Sequence, residues 1–336
     1  MTRALHPRHG LHAPRPTAPV RVPGSIRRTS TIDAVRPDGL RGDLLQVGVA
    51  RDLITRPDGS AHVVDEARVH TTIDYLERYS LREITTAPDQ PALAAMVGRS
   101  VSTGFRAAVV ELLPDEAAGA TLLHLLLDDL PGAALVSGYA LGAGGVTLER
   151  APGATVLQVA DLCSGFRRGG TIMVELDAKR RNPVPTGPVA TSLRSDDELA
   201  WHDLREMGPH DMRRWRCLDL RPDPDGGPMF AEAYLRDSHV DGDGLETVVH
   251  EYTVNARIDP GTPMTVVAGS ATAHSLPWVE CIDAEASAQR LNGLPVNRLR
   301  AKVRAEFVGT TTCTHLNDTL RSLEDVTALW SLLQAG

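Results

Sequence analysis

"RDLITRPDGSAHVVDEARVHTTID", residues 51–74, returns later in the chain as "RDSHVDGDGLETVVHEYTVNARID", residues 236–259. The two stretches align without a gap, and ten of the 24 positions are identical. The shared residues include Arg51/Arg236, Asp52/Asp237, Asp58/Asp243, Gly59/Gly244, Glu66/Glu251 and Asp74/Asp259. Upstream, "IRRTSTIDAVRPD" (26–38) resembles "MRRWRCLDLRPD" (212–223), and downstream "FRAAVVELL" from Phe105 matches "LRAKVRAEF" from Leu299. Similarity in the same order over this length reads as an internal duplication.

Each copy reads as strands followed by helices. Asp58-Gly59 and Asp243-Gly244 are hairpin turn signals, because glycine takes positive φ without a Cβ clash. Beyond the turn, alternation puts Val63, Val69 and Ile73 on one face and Glu66, Arg68, His70 and Asp74 on the other. The second copy repeats this with Val248, Val254 and Ile258 inward and Glu251 and Asp259 opposite. Helical patterns follow near residues 91–112 and 117–130, then near 283–292, 296–307 and 313–333. The expected fold is therefore α+β, internally duplicated, with two antiparallel-sheet-plus-helix halves about a pseudo-two-fold axis. The expected boundaries are a disordered tail over 1–24, a first half over 25–150, an inter-half segment over 151–211 and a second half over 212–336. The inter-half segment has no counterpart, and strands are expected within it near Val156–Ala160 and Thr171–Leu176.

Composition narrows the function. The chain has 336 residues, 42% of them hydrophobic, enough for a substantial core. Aromatic residues make up 4% and the net charge is −8, which argues against base stacking and against a phosphate-backbone binder. Lysine occurs only at Lys179 and Lys302, so Schiff-base chemistry has few candidates, and no Gly-Lys-Ser/Thr phosphate loop exists. Cys163, Cys217, Cys281 and Cys313 are widely spaced and form no CxxC, which points to reduced thiols in a cytoplasmic protein without a structural metal. No apolar run is long enough to span a membrane. The first 32 residues lack acidic side chains, but their prolines break any amphipathic leader helix.

Few motifs carry chemistry. "HEYTV" at His250 opens like a zinc-protease helix, but Val254 stands where the second histidine belongs, and the segment reads as a strand. "LGAGGVT" from Leu141 lacks dinucleotide-binding spacing. Arg51 with Glu66, and Arg236 with Glu251, pair across their hairpins, which is ordinary sheet chemistry or, at a seam, a ligand site. Arg167 and Arg168, with Lys179, Arg180 and Arg181, form a basic cluster that reads as a solvated charged surface or, alternatively, as a contact for a carboxylate or phosphate.

"TTTCTHLNDTL", residues 310–320, is the remaining candidate. Thr311 or Thr312 as N-cap places Cys313 in the first turn, where free N–H groups and the helix dipole favour a thiolate. His315 lies about 200° further round the helix, so the two do not converge on one metal. Asp318 at i+3 is placed to orient the imidazole. The stretch reads either as a capped, packed helix terminus or as a chemical site. In the second reading Cys313, His315 and Asp318 are the candidate catalytic group, with Arg51, Glu66, Arg167, Arg168, Arg236 and Glu251 as candidate ligand contacts.

"GTTTCTHLNDTLRSL", "LPWVECIDA" and "RRTSTID" resemble the bacterial domain-of-unknown-function 2889 family, over most of the chain after the tail. The resemblance implies a soluble bacterial protein and brings no assigned reaction or site. Two functions fit the sequence. One is a cofactor-independent lyase, isomerase or hydrolase acting on a small metabolite between the halves. The alternative is a non-catalytic small-ligand-binding or assembly protein. Both are compatible with a homo-oligomer and with no nucleic-acid or membrane partner.

Overall fold

The computed structural model describes residues 7–146, 159–178, 183–193 and 197–335. Strands β1 (Ser25–Val35), β2 (Leu44–Thr55), β3 (Ala61–Asp74), β4 (Ser80–Ala87), β5 (Met212–Arg221), β6 (Met229–Val240), β7 (Glu246–Asp259) and β8 (Thr265–Ser275) form one antiparallel sheet. Its order is β4-β3-β2-β1-β5-β6-β7-β8. Each run of four is a meander, and the two meet where β1 pairs with β5, Ser30 lying opposite Arg216. The α+β class is as expected, but both halves contribute to a single sheet.

The two similar stretches are both strand–turn–strand. Gly59 and Gly244 hold φ of +87° and +84° at the turns, a conformation that costs glycine little. Arg51 sits opposite Glu66, and Arg236 opposite Glu251, in the expected register. Each hairpin also carries an irregularity at a matching place, between Asp52 and Leu53 and between Asp237 and Ser238. The extra residue reverses the alternation beyond it. Val63 and Val248 therefore do not share a face with Val69 and Val254, contrary to simple period-two counting; Val63 is 45% exposed.

The α-helices are α1 (Phe105–Leu112), α2 (Pro114–Ala118), α3 (Leu122–Val136), α4 (Gly138–Ala143), α5 (Thr171–Asp177), α6 (Leu299–Glu306), α7 (Thr314–Ser322) and α8 (Val326–Ala335), and 3-10 turns form at Pro91–Met96 and Val279–Leu291, where helix was expected. In α3, Leu122, Leu126 and Leu130 recur at helical spacing and are buried, and the Thr121 hydroxyl caps the start by accepting from the His124 N–H. α3 packs on β1, β2 and β3; α7 packs on β6 and β7; α8 returns to β1 and β5. Two apolar clusters result, one under α1, α3 and α4 and one under α6, α7 and α8.

A buried polar seam divides the clusters. Arg28 makes paired bonds to Asp52 at 2.9 and 2.7 Å and reaches Asp325 at 3.1 Å. Arg214 pairs likewise with Asp237 and also reaches Asp129 and Asp318. On the opposite face of the sheet, Arg27 pairs with Asp219 while Arg213 pairs with Asp33. Leu193, Ala200 and Trp201 cover that face against Trp215, Cys217 and Tyr234.

Three local expectations fail. Thr171–Asp177 is a helix, because its start is fixed by tertiary partners: the Thr171 N–H and hydroxyl both donate to Glu280 Oε1 at 2.9 Å. Short apolar runs do not by themselves distinguish strand from helix. Of the strand expected near Val156–Ala160, residues 156–158 lie outside the described residues and the rest is a turn. Residues 7–24 are docked rather than disordered. The Ala13 N–H donates to the His274 carbonyl, the Leu11 carbonyl accepts from Leu276, and the Arg15 N–H donates to Glu251. The prolines that bar a helix leave an extended backbone, whose free polar groups run along the end of β8.

Candidate functional site

Strand register assembles the site. Arg214, Asp237 and His250 are direct neighbours across β5, β6 and β7. The irregularity just beyond Asp237 sets His250 on the same face as Arg214. β8 ends at Ser275, opposite Glu251, so His250 has no strand beyond it. α7 lies over this open corner and brings His315 onto His250.

The two imidazoles stack with centroids 3.6 Å apart and planes 18° from parallel. Asp237 Oδ2 lies 3.6 Å from His250 Nδ1 and 4.0 Å from His315 Nε2. Asp237 is fully buried and its carboxylate is clamped by Arg214, at 2.8 Å to Oδ1 and 3.1 Å to Oδ2. Burial, with help from the Arg214 charge, pushes the His315 imidazole down to about 3. Burial and then the neighbouring His315 hold His250 well below its ordinary value. Both rings are neutral at neutral pH. Burial works to raise Asp318, but Arg321, Arg214 and Arg106 overcome it and hold the carboxyl well below the carboxylate range.

Cys313 is the N-cap of α7, not part of its first turn, with extended backbone at φ −131° and ψ 132°. This conformation lets Sγ reach within 3.8 Å of His315 Nδ1, a convergence that a helical Cys313 would not allow. The expected thiolate is not present at neutral pH. Burial, then the nearby Cys163, pushes the Cys313 thiol up to about 11. Cys163 and Cys281 are raised too, chiefly by burial, and line the same space.

That space is a cavity of about 540 Å³. Leu135, Val136, Leu162, Phe166, Ile172 and Phe307 form apolar walls, and Arg106 and Arg304 add positive charge. Its lining comes from α1, α3 and α4, from the stretch around residues 162–172, and from β7, α6 and α7. Gly132 of α3 is needed where the elements meet: a Cβ there would lie 2.3 Å from Arg214 Nη1 and 2.7 Å from Asp318 Oδ2.

Of the expected site residues, Cys313, His315 and Asp318 all line this cavity. The others lie elsewhere. Arg236 and Glu251 form a buried pair at 2.8 Å on the other face, completed by Thr191 and Tyr234. Arg51 donates to the Leu199 carbonyl, and Glu66 is exposed. Arg167 pairs with Asp283 and Arg168 with Asp161. Lys179, Arg180 and Arg181 lie outside the described residues.

Residues 212–329 match a family model described as protein of unknown function (DUF2889). The resemblance read from "GTTTCTHLNDTLRSL" and "LPWVECIDA" falls within that match, whereas "RRTSTID" and the rest of the first half lie outside it. No curated protein and no solved structure matches the chain. The matched stretch contains Arg214, Asp237, His250, Cys313 and His315.

His250, Asp237 and Arg214 were not among the expected site residues. At His250 the sequence offers only an incomplete zinc-protease motif, with Val254 in place of the second histidine, on a segment that reads as a strand. In a sheet the partner comes from the adjacent strand and the covering helix instead. The available signal is the difference between the two similar stretches: Asp65 stands opposite Asp52, whereas His250 stands opposite Asp237.

Proposed function

We propose that the protein is an enzyme acting on a small, mainly apolar molecule with one polar reacting group, bound at the seam between the halves. The observation that carries this reading is the neutral His250–His315 pair at the polar end of a cavity whose other walls are largely apolar. An uncharged imidazole in a dry site donates its N–H to a substrate oxygen without adding charge, and so polarises a carbonyl. His250 is held by its place in β7 and stacks on His315, with Asp237 beside both rings; Arg304 at the rim suits a carboxylate tail. Hydrolase, lyase and isomerase chemistry each begin with such polarisation.

The test has two arms. An anilinonaphthalene sulfonate dye should bind with one-to-one saturation, and Leu135→Trp, which fills the cavity from its rim, should abolish binding. Turnover of a panel of small esters, lactones and hydroxy acids should then fall roughly 100-fold or more in His315→Ala. Binding unaffected by Leu135→Trp would remove the cavity from consideration. Binding without turnover would favour a non-catalytic ligand-binding protein, a reading supported by the Cys313 thiol, which is too weakly acidic to be a nucleophile at neutral pH.

We also infer that the chain arose by duplication of one sheet-plus-helix unit, with halves at 25–150 and 212–336 about a pseudo-two-fold axis between β1 and β5. Support comes from the symmetric strand order, the matching irregularities and the reciprocal pairs Arg27–Asp219 and Arg213–Asp33. Reduced thiols fit a cytoplasmic setting. Among the described residues, no helix is long and apolar enough to cross a membrane.

A further inference from the structure

We propose that Asp237, His250 and His315 bind one divalent first-row transition-metal ion at the inner end of the cavity. The three offer ligand atoms that all lie within 4.8 Å of one another. The ligands come from three elements, β6, β7 and α7, so the site is tertiary and leaves no spacing signature in the sequence. Two imidazoles and one carboxylate suit zinc or iron(II), and with three protein ligands the remaining positions face the cavity.

The contacts among these atoms are too long to be hydrogen bonds and too converged to be incidental. His250 Nδ1 is buried without a hydrogen-bond partner and lies 3.6 Å from Asp237 Oδ2. On the other side of the His315 ring, Nδ1 faces Cys313 Sγ at 3.8 Å and Thr314 Oγ1 at 3.5 Å. A proton on Nδ1 pointing to these acceptors leaves Nε2 as the lone-pair nitrogen, the one facing Asp237. Arg214 fixes the carboxylate, and because each carboxylate oxygen has two lone pairs, Oδ2 keeps one for a metal. With metal–ligand bonds of about 2.0–2.1 Å, tetrahedral ligands stand about 3.3 Å apart. The separations of 3.6 and 4.0 Å therefore need to shrink by a few tenths of an ångström. The His315 ring must also turn out of the stack, which its cavity-facing side leaves room for; 21% of its side chain is open. In the first half, the Arg28–Asp52 pair is kept, but Asp65 stands opposite Asp52. Among the described residues the ligand set exists once.

This reverses the expectation of a metal-free protein drawn from cysteine spacing, and it rests on the proposed cavity only for where the open positions point. The test uses the full-length protein, stripped with a chelator and titrated with cobalt(II). One equivalent should survive desalting, as measured by mass spectrometry, and give visible d–d absorption. Retention should fall at least tenfold in His315→Ala and in His250→Ala, and persist in Cys313→Ser. His315 lies at the cavity surface, so its variant remains informative if His250→Ala does not fold. No retained cobalt, retention unchanged by His315→Ala, or loss in Cys313→Ser equal to that in His315→Ala would overturn the proposal. Dye binding by the stripped protein is read separately, so a failed metal site and a failed cavity give different results.

Discussion

His250 and His315 lie face to face, ring centroids 3.6 Å apart, with Asp237 at the edge of both. Protonating both rings would set two like charges in van der Waals contact inside the protein, and burial already opposes the first. The unfolded chain takes up a proton on each imidazole near pH 6.5. The folded chain does so only near pH 3 at His315 and His202, near pH 4 at His124, and far below the ordinary value at His250. Between those limits the unfolded state holds more protons, so stability falls as pH falls. The loss is about 1.4 kcal/mol per pH unit for each such histidine. Urea unfolding between about pH 7 and pH 5 should show the midpoint dropping steadily. The slope should be shallower in His315→Ala.

Arg214 holds Asp237 while reaching Asp129 and Asp318, so its loss strands Asp237 in the seam, whereas Asp129 keeps Arg216 and Asp318 keeps Arg321. Arg214→Leu should cost about 3–5 kcal/mol, the usual penalty for breaking a buried ion pair from one side. Arg167→Ala, at an exposed pair with Asp283, should change stability by less than about 1 kcal/mol. Denaturant midpoints of the two variants make the comparison.

Gly132 lies within α3, where glycine normally weakens a helix and alanine would strengthen it. Here the added Cβ would meet the Arg214 guanidinium and the Asp318 carboxylate. Gly132→Ala should therefore lower thermal stability and weaken dye binding in the cavity. An unchanged or raised melting temperature would show that the close approach is not required.

Cysteine labelling separates the N-cap from a reactive thiolate. Cys163 is the only described cysteine that is not buried, while Cys217, Cys281 and Cys313 are. Iodoacetamide at neutral pH should label Cys163 first, with Cys313 no faster than Cys217 or Cys281. Fast labelling of Cys313 would restore the thiolate role that the helix start suggests.

Much of the architecture was legible because it is local. The Asp-Gly turns, the alternation after them and the opposed Arg–Glu pairs depend on neighbours in sequence, and the second copy repeats them. Val63 and Val248 misled because one inserted residue per hairpin reverses the alternation, and nothing in their side chains announces it. Thr171–Asp177 became a helix through Glu280, a partner far away in the chain. The site was half legible for the same reason. Cys313, His315 and Asp318 lie within six consecutive residues and are legible together. Their partners Asp237 and His250 come from strands whose meeting with α7 depends on how the helices cross the sheet.

The state of the imidazole pair is the most direct measure of the proposed site. Nitrogen-15 NMR of ring-labelled histidine, on the metal-stripped protein, reports the tautomer and charge of His250 and His315 separately. Both should remain neutral down to about pH 5, and saturating dye should shift these two rings while leaving His202, on the other face of the sheet, unmoved. Imidazoles that titrate near pH 6.5, or that ignore dye binding, would contradict the site described above.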